Sequence, residues 1–315
     1  MTKARAHANI ALMKYWGKLD EDLALPYTSS VSLTLDALFT ETEVRRDPGL
    51  KDDLFVLNGE EQPVAETGKI SRFIDLFRQD SGRVRVVTRN SFPTASGLAS
   101  SASGFAALAT ALNEEYQLGL DKKELSRLTR RGSGSASRSL FGGLAVWQKG
   151  DDKASFAYPL TAMPDMEMLI AVVSADKKKR SSRSLMKQTV QESAYFDAWV
   201  KESEREFPRM LEAIEAEDIH TIGRLAERNA MMMHATLLAN HEPFFYFQPQ
   251  TLQILETVQD LRETGLTAYY TLDAGPNVKI ITDSGSASEI LKLLRSNYPG
   301  LDVIEAKPGP EARIL

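Results

Sequence analysis

Residues 93–104 read Pro93-Thr-Ala-Ser-Gly-Leu-Ala-Ser-Ser-Ala-Ser-Gly104, and the chain changes character across them. Upstream, 84–88 is Val-Arg-Val-Val-Thr, a β-branched run that predicts a strand. Downstream, to about Tyr116, Phe105, Leu108, Ala109 and Leu112 recur at helical spacing and predict a core-facing stripe. A strand that turns through small residues into a helix gathers free backbone N–H groups and the positive end of the helix dipole at one point. Ser100, Ser101 and Ser103 add hydroxyls there, and the combination suits a phosphate. The same composition also suits a flexible linker or a helix packed tightly on small residues. No Gly-Lys-Ser/Thr ending follows, which argues against a Walker-type loop. No Gly-x-Gly precedes, which argues against a dinucleotide fingerprint.

Working outward, 8–13 and 31–39 read as strands, with Ser32, Thr34 and Asp36 alternating with apolar neighbours in the second. Residues 54–57, Asn58-Gly59 and 62–64 read as a hairpin. Ile70, Phe73, Ile74 and Phe77 predict a helix over 70–78. Asp121 is placed to cap a basic helix over 122–131, followed by a small-residue loop over 132–138. Strands follow at 144–147 and 168–173, then a basic loop at 177–183. Helices are expected over about 184–205, 207–216, 218–233 and 249–264, and the chain closes as strand, strand, helix, strand over 267–305. This is an α+β pattern with two lobes rather than a doubly wound βαβ sheet. The change of pattern puts the boundary near the 177–183 loop.

Composition narrows the functional classes. The 315 residues include 43% hydrophobic and 26% charged side chains, the balance of a globular chain. Lys plus Arg is 38 and Asp plus Glu is 43, a formal charge of −5. That is a poor footprint for non-specific nucleic-acid binding, although a local basic pocket stays compatible with it. Cysteine is absent, so disulfides, Cys-ligated zinc, iron–sulfur clusters and cysteine nucleophiles are excluded. The start, MTKARAHANIALMKYWGK, has too short an apolar stretch for a signal peptide, and no window reaches about 20 uninterrupted apolar residues. The expectation is a mature chain starting near Met1 in the cytoplasm, with neither membrane nor nucleic acid as partner.

Two further stretches carry chemistry. Gly132-Ser-Gly-Ser-Ala-Ser-Arg138 sets three alternating serines before an arginine able to grip phosphate or carboxylate with two parallel N–H bonds; it also reads as a solvated linker. Thr271-Leu-Asp-Ala-Gly-Pro-Asn277 places Asp273 at a strand end in a Gly/Pro turn. There a carboxylate can orient a hydroxyl, act as a base or approach a metal through water, or be an ordinary turn residue. The basic loop at 177–183 reads as a solvated loop or one that closes on phosphate. His7 and His234, the latter in Met231-Met-Met-His234, read as structural. No zinc-hydrolase histidine spacing and no Gly-x-Ser-x-Gly elbow occurs.

Ala8-Asn-Ile-Ala-Leu-Met-Lys-Tyr-Trp-Gly-Lys18 resembles the opening signature of the mevalonate diphosphate decarboxylases. Residues 93–104 resemble their phosphate loop. Arg131-Gly-Ser-Gly-Ser-Ala-Ser-Arg138, Ser181-Ser-Arg183, Met233-His-Ala-Thr236 and Asp273-Ala-Gly-Pro-Asn-Val-Lys279 resemble their remaining motifs, in order. The resemblance runs from about residue 3 to 282. The Ser-rich loop recurs across the wider GHMP kinase superfamily, whereas the Lys-Tyr-Trp-Gly-Lys and Asp-Ala-Gly-Pro-Asn pair is far more specific. Ser96 stands where many relatives carry Ala.

The resemblance implies the two-lobed GHMP kinase fold with the active site between lobes. Residues 1–180 would form the N-terminal ATP- and phosphate-binding lobe (ribosomal protein S5 domain 2-like), and 181–315 the C-terminal GHMP kinase lobe. It implies ATP-dependent conversion of (R)-5-diphosphomevalonate to isopentenyl diphosphate, ADP, phosphate and CO2, through transient 3-phosphorylation, in isoprenoid biosynthesis.

Site roles are implied residue by residue. Asp273 would orient or deprotonate the 3-hydroxyl, with Lys14, Asn9 and Arg138 at the reacting end. Tyr15, Trp16, Gly17, Lys18, Ser133, Gly134, Ser135, Ala136, Ser137, Arg138, Ser182 and Arg183 would contact substrate. Lys69, Gly97, Leu98, Ala99, Ser100, Ser101, Ala102, Ser103 and Lys178 would hold ATP, with Ser101 (or Ser103) and Asp273 nearest Mg2+. A homodimer is also expected. A 3-kinase or decarboxylase acting on mevalonate or its monophosphate is the nearest alternative. A non-catalytic ligand sensor or transcription partner is a more distant one, disfavoured by the acidic charge and the lack of a basic helix-turn-helix.

Overall fold

A computed structural model describes residues 1–92, 100–176 and 180–315. Two antiparallel-rich sheets with helices packed on them give the expected α+β architecture. The first sheet has eight strands in the path Arg313–Ile314, Thr2–Met13, Ser30–Arg46, Val84–Asn90, Leu54–Leu57 and Glu60–Glu61, while Leu144–Trp147 joins Ser30–Arg46 to Ala157–Pro159. Its one parallel pairing is Leu54–Leu57 with Val84–Asn90. The second sheet runs Tyr269–Thr271, Val278–Thr282, Glu167–Val172, Asp302–Ala306, all antiparallel.

Small residues set the spacing of the first layer. The helix Ser100–Glu115 lies on Thr2–Met13, and Ala106, Ala107, Ala109 and Ala111 share one buried cluster with Ala4 and Ala6. Alanine against alanine lets the helix approach the sheet closely, which suits the positioning of its N-terminus. Phe105, expected in the core stripe, is only half-buried, while Leu108, Ala109 and Leu112 are buried. A second cluster joins the sheets: Ile10, Leu12, Val31 and Leu33 meet Met168, Ile170, Ile222 and Leu225. On the far face of the second sheet, Val278 and Ile280 pack with Ile254, Val258 and Ile290 of the helices Pro249–Glu263 and Ala287–Asn297. Alternation then sends Lys279 and Ile281 to the opposite face.

Several element boundaries differ from the sequence expectation for identifiable reasons. The hairpin turn is present, with Asn58 at φ 52° and Gly59 at φ 90°. Its second strand stops at Glu61, and the helix begins at Val64 behind Pro63, spanning Val64–Ile74 instead of 70–78. Much of the expected loop over 132–138 instead belongs to a 3-10 helix, Gly134–Leu140, after the Asp121-capped helix Lys122–Gly132. Ser182 and Arg183 sit in the first turn of Ser182–Glu192, capped by Ser181, rather than in a loop. The expected helix 184–205 is interrupted at Ser193, and the expected break between 205 and 207 does not occur. Pro208 is exposed within Phe196–Glu215, while Trp199, Ser203, Glu206, Met210 and Ile214 form one buried stripe across it. The carbonyl that Pro208 deprives of a donor can bond water, so the packed face carries the helix through.

Candidate active site

Six segments distant in sequence converge on a cavity of about 360 Å3, the helix Ile219–Leu238 among them through Met233. The strand Thr2–Met13 contributes Asn9 and Ala11, and the chain just beyond it contributes Lys14, Tyr15 and Trp16. Its pairing with Ser30–Arg46 shifts register between His7 and Asn9 and again between Ala11 and Met13. Such irregularities re-aim side chains, and Asn9 and Lys14 follow the two shifts. Gly17, at φ 88°, turns the chain towards Lys18; a Cβ there would come within 2.8 Å of Phe196 and Val190. The helix Ser100–Glu115 brings Ser101 at its first turn, and Ser182–Glu192 brings Ser182 and Arg183 at its own. Two helix N-termini therefore border one cavity. The stretch after Gly132 adds Ser133, Gly134, Ser135 and Arg138, and the turn after Tyr269–Thr271 adds Asp273 and Ala274.

Asp273 is flanked by ammonium groups. Lys14 Nζ donates to Asp273 Oδ1 at 2.8 Å and to the Ala11 carbonyl at 2.7 Å. Lys279 Nζ lies 3.7 Å from Asp273 Oδ2. Lys14 is 2% exposed, and burial pulls its pKa down to about 8, with Asp273 partly restoring the charged form. Burial also lowers the pKa of Lys279. The Lys14 N–H donates to Asn229 Oδ1 at 2.8 Å, which ties this strand end to the helix Ile219–Leu238.

Arg138 is a buried cation held by neutral groups. Nε donates to Ser32 Oγ at 2.8 Å, Nη1 to Ser30 Oγ, and Nη2 to Asn9 Oδ1 at 3.3 Å. Burial lowers its pKa to about 10, opposed by the field of Asp273. Asn9 Nδ2 donates to the Ser135 carbonyl at 2.9 Å and Ser139 Oγ at 2.7 Å, so its amide orientation is fixed. A buried guanidinium bonded to hydroxyls and an amide is costly unless an anion joins it. Tyr15 and Trp16 also line the cavity, and Tyr15 Oη and Trp16 Nε1 are buried without a hydrogen-bond partner among the described residues. Such groups are rare in folded proteins and mark where a ligand completes the bonding. Burial raises the Tyr15 pKa, so the phenol stays protonated as a donor. At the rim, Lys18 Nζ pairs with Glu21 at 2.8 Å and Arg183 Nη2 donates to the Gly132 carbonyl at 3.3 Å. The cavity is thus built for a polyanion, with one carboxylate, Asp273, set among cations.

Asn9, Lys14, Tyr15, Trp16, Lys18, Ser101, Ser133, Gly134, Ser135, Arg138, Ser182, Arg183 and Asp273 all line this cavity. Other predicted residues do not. Ala136 and Ser137 are buried in the 3-10 helix, where Ser137 Oγ donates to the Gly134 carbonyl at 2.8 Å. Ala102 is buried, and Ser103 bonds Thr40 Oγ1 at 2.7 Å beneath the helix, so its hydroxyl is engaged away from the cavity. Ser100 begins the helix without lining the cavity, and Lys69 pairs with Glu66 at 2.7 Å on Val64–Ile74. Gly97, Leu98, Ala99 and Lys178 lie outside the described residues, as does Ser96. Arg130 and Met186 line the cavity although sequence reasoning singled out neither, and Arg131, which opens a quoted motif, lines it although it was given no role. Arg130 bonds the Leu23 and Ser155 carbonyls and Asp152, a structural set of partners. Asn229 was also missed, and Lys279, although it closes a quoted motif, was given no role; a lysine in the middle of an apolar strand, at Val278–Thr282, is the signal that could have assigned one.

Two family models match the chain: a diphosphomevalonate decarboxylase-like N-terminal domain over residues 6–157 and a mevalonate 5-diphosphate decarboxylase C-terminal domain over 168–311. A diphosphomevalonate decarboxylase from Candida albicans is 36% identical over 93% of this chain and 87% of its own length. The solved mevalonate diphosphate decarboxylase of Enterococcus faecalis is 42% identical, covers 100% of this chain and 98% of that one, and superposes with a TM-score of 0.94. A structure described as MDDEF in complex with MVAPP, AMPPCP and magnesium, also 42% identical over 100% and 98% of the two chains, gives 0.95.

Proposed function

The chain belongs to the diphosphomevalonate decarboxylase family, with its GHMP-type fold, and from that premise we propose how its own residues carry out the reaction. It is an ATP-dependent decarboxylase of (R)-5-diphosphomevalonate that yields isopentenyl diphosphate, ADP, phosphate and CO2 in the mevalonate pathway. The observation that carries the residue assignment is the Lys14–Asp273 pair at the wall of a cation-lined cavity.

A tertiary hydroxyl is a poor leaving group, so phosphorylation from ATP converts it into a good one. Departure of that phosphate leaves positive charge at C3, and loss of CO2 from the neighbouring carboxylate completes the alkene. Asp273 accepts the hydroxyl proton in a hydrogen bond and aims the oxygen at the γ-phosphorus. Lys14 holds the Asp273 carboxylate in place. Arg138, fixed by Ser30, Ser32 and Asn9, faces the substrate's anionic groups. Tyr15, Lys18, Ser133, Ser135 and Arg183 surround the diphosphate, Trp16, Gly134 and Ser182 complete its walls, and Gly17 sets the path of the chain between Trp16 and Lys18. Ala136 and Ser137 support this set from within the 3-10 helix.

Ser101, exposed at a helix N-terminus on the cavity, suits ATP phosphates and their ion. The described residues contain no cluster of three His, Cys, Asp or Glu able to hold a metal. That fits Mg2+ arriving with ATP, because this ion is held largely by phosphates and water with one or two protein oxygens. Mg2+ supplies neutralisation of charge on the transferring phosphoryl group. Asp273, already between two ammonium groups, is assigned to the hydroxyl in preference to the ion. Ser100, Ala102 and Ser103 shape that helix end, and Gly97, Leu98, Ala99, Lys69 and Lys178 remain the ATP-side candidates.

The lobes 1–180 and 181–315 stay part of this proposal, with one adjustment suggested by the pairing: Glu167–Val172 hydrogen-bonds within the second sheet. No helix among the described residues is long and apolar enough to cross a membrane. A cytoplasmic homodimer is likewise proposed; exposed apolar residues such as Leu238, Phe245 and Leu252 support self-association, and sedimentation equilibrium tests it.

The reaction is tested by supplying Mg-ATP with mevalonate, its 5-phosphate or its 5-diphosphate separately. Equal ADP and CO2 with the diphosphate alone is the expected result. ADP without CO2 identifies a kinase, and CO2 with the monophosphate in preference moves the substrate assignment.

A further inference from the structure

Lys279 is a lysine in an inner strand of the second sheet, paired across to Ile170 on one side and Thr271 on the other. Its side chain is 0% exposed. Its strand neighbours Val278, Ile280, Ile281 and Thr282 are buried too, so alternation alone would place an apolar residue here. A fully buried ammonium is costly unless it has compensating partners. Nζ donates to the Asn277 carbonyl at 3.1 Å and lies 3.7 Å from Asp273 Oδ2, an ion-pair distance rather than a short hydrogen bond.

The carboxylate that Lys279 faces is bonded on its other oxygen to Lys14 at 2.8 Å. The Asp273 carbonyl is itself fixed in a tight turn by the Gly275 N–H at 2.7 Å. Lys14 holds one oxygen of the carboxylate, and Lys279 places a second cation on the side of the other, so both bear on the orientation of its plane. The arrangement holds backbone, one oxygen and the carboxylate plane at once, with one ammonium group from a strand of the second sheet and the other from just beyond the first strand of the first sheet.

We propose that Lys279 is a positioning residue for the phosphoryl-transfer step: it fixes the orientation of the Asp273 carboxylate against the substrate hydroxyl without touching substrate. This rests on the reading of Asp273 given above. Lys279 does not line the cavity, whereas Asp273 and Lys14 do, so loss of Lys279 acts on turnover more than on binding.

Full-length Lys279→Met and Lys279→Arg are compared with the parent in the coupled ADP and CO2 assay, with Asp273→Asn in parallel. Misplacing a reacting group by about 1 Å costs about 100-fold in rate, so Lys279→Met is expected to lower kcat by about that factor. KM for 5-diphosphomevalonate and for ATP should stay within about twofold on the same argument, and Lys279→Arg should recover about tenfold of the loss by restoring the charge. A Lys279→Met enzyme with kcat within about twofold of the parent overturns the proposal. So does an equal loss in both variants accompanied by a raised KM, the mark of general disruption. If Lys279→Met does not fold, Lys279→Gln is read by the same criteria. Should Asp273→Asn itself keep turnover, the reading of Asp273 fails; should it collapse while Lys279→Met stays active, only the role of Lys279 fails.

Discussion

Lys14 Nζ lies 2.8 Å from Asp273 Oδ1, joining residues 259 positions apart in the chain, each just beyond a strand of a different sheet. The pair fastens the first strand to the turn that carries the reactive carboxylate. Replacing Lys14 with Met should lower kcat by about 100-fold, because the carboxylate loses its closest anchor. Stability should also fall, by about 1–3 kcal/mol. The loss is smaller than for a fully buried pair because Asp273 keeps 25% exposure and can be hydrated. Steady-state kinetics and denaturant melts check the two effects separately.

Arg138 and Arg131 both line the cavity, but in opposite ways. Arg138 is buried and bonded through Nε, Nη1 and Nη2, whereas Arg131 is exposed at the end of its helix. Lysine at 138 cannot reproduce the planar fork, and the Ser30, Ser32 and Asn9 side chains lose partners. Arg138→Lys should cost about 100-fold or more in kcat/KM, and Arg131→Gln less than about tenfold, since an exposed charge contributes little. Equal losses at the two positions would contradict the assignment of the anion site.

Gly134 has no room for a side chain. A Cβ there would lie 2.7 Å from the Trp147 ring and 2.8 Å from the Tyr15 ring. Trp147 is fully buried, so Tyr15 is the ring that must yield. Gly134→Ala should destabilise by about 1–3 kcal/mol and raise KM for the diphosphate substrate, by overpacking at the cavity wall. Calorimetry together with substrate saturation curves provides the check.

The outline of the fold was legible where local pattern and burial agree. Asp121 caps its helix as expected, donated to by the Glu124 N–H at 2.8 Å, and Asn58-Gly59 turns its hairpin. What misled was local chemistry outweighed by packing. The break expected between 205 and 207 is absent, because a continuous buried stripe carries the helix past Pro208 on its solvent face, and the Ser/Gly run after Gly132 winds into a 3-10 helix that buries Ser137 and Arg138. The site was legible through its motifs, because Lys14, Arg138 and Asp273 sit in short stretches of unusual composition. Asn229 was not, since it lies in an ordinary helix, and Lys279, although it closes the Asp273 motif, sits in an apolar strand and carried no role there; only the tertiary fold brings them to Lys14 and Asp273.

His234 sets an acid limit on stability. Its ring is buried against Phe247 and Tyr246, and burial, reinforced by the charge of Lys14, pushes its pKa from 6.5 down to about 3. The unfolded chain takes up a proton below pH 6.5 that the folded chain refuses until near pH 3. The stabilisation is therefore whole above pH 6.5 and is lost as pH falls through that window, at up to about 1.4 kcal/mol per pH unit. Urea melts between pH 7 and 5 should show this slope, and His234→Phe should flatten it; an unchanged slope would mean that His234 is not buried in the neutral form.

The most direct test of the site is Asp273→Asn, measured for both turnover and binding. The amide keeps the size of the side chain but cannot take the hydroxyl proton or hold Lys14 by charge. The expected result is a fall in kcat of about 1,000-fold or more with 5-diphosphomevalonate still bound at near-parental affinity by calorimetric titration. Turnover close to that of the parent would contradict the role of Asp273, and with it the arrangement of cations around it as the reacting centre.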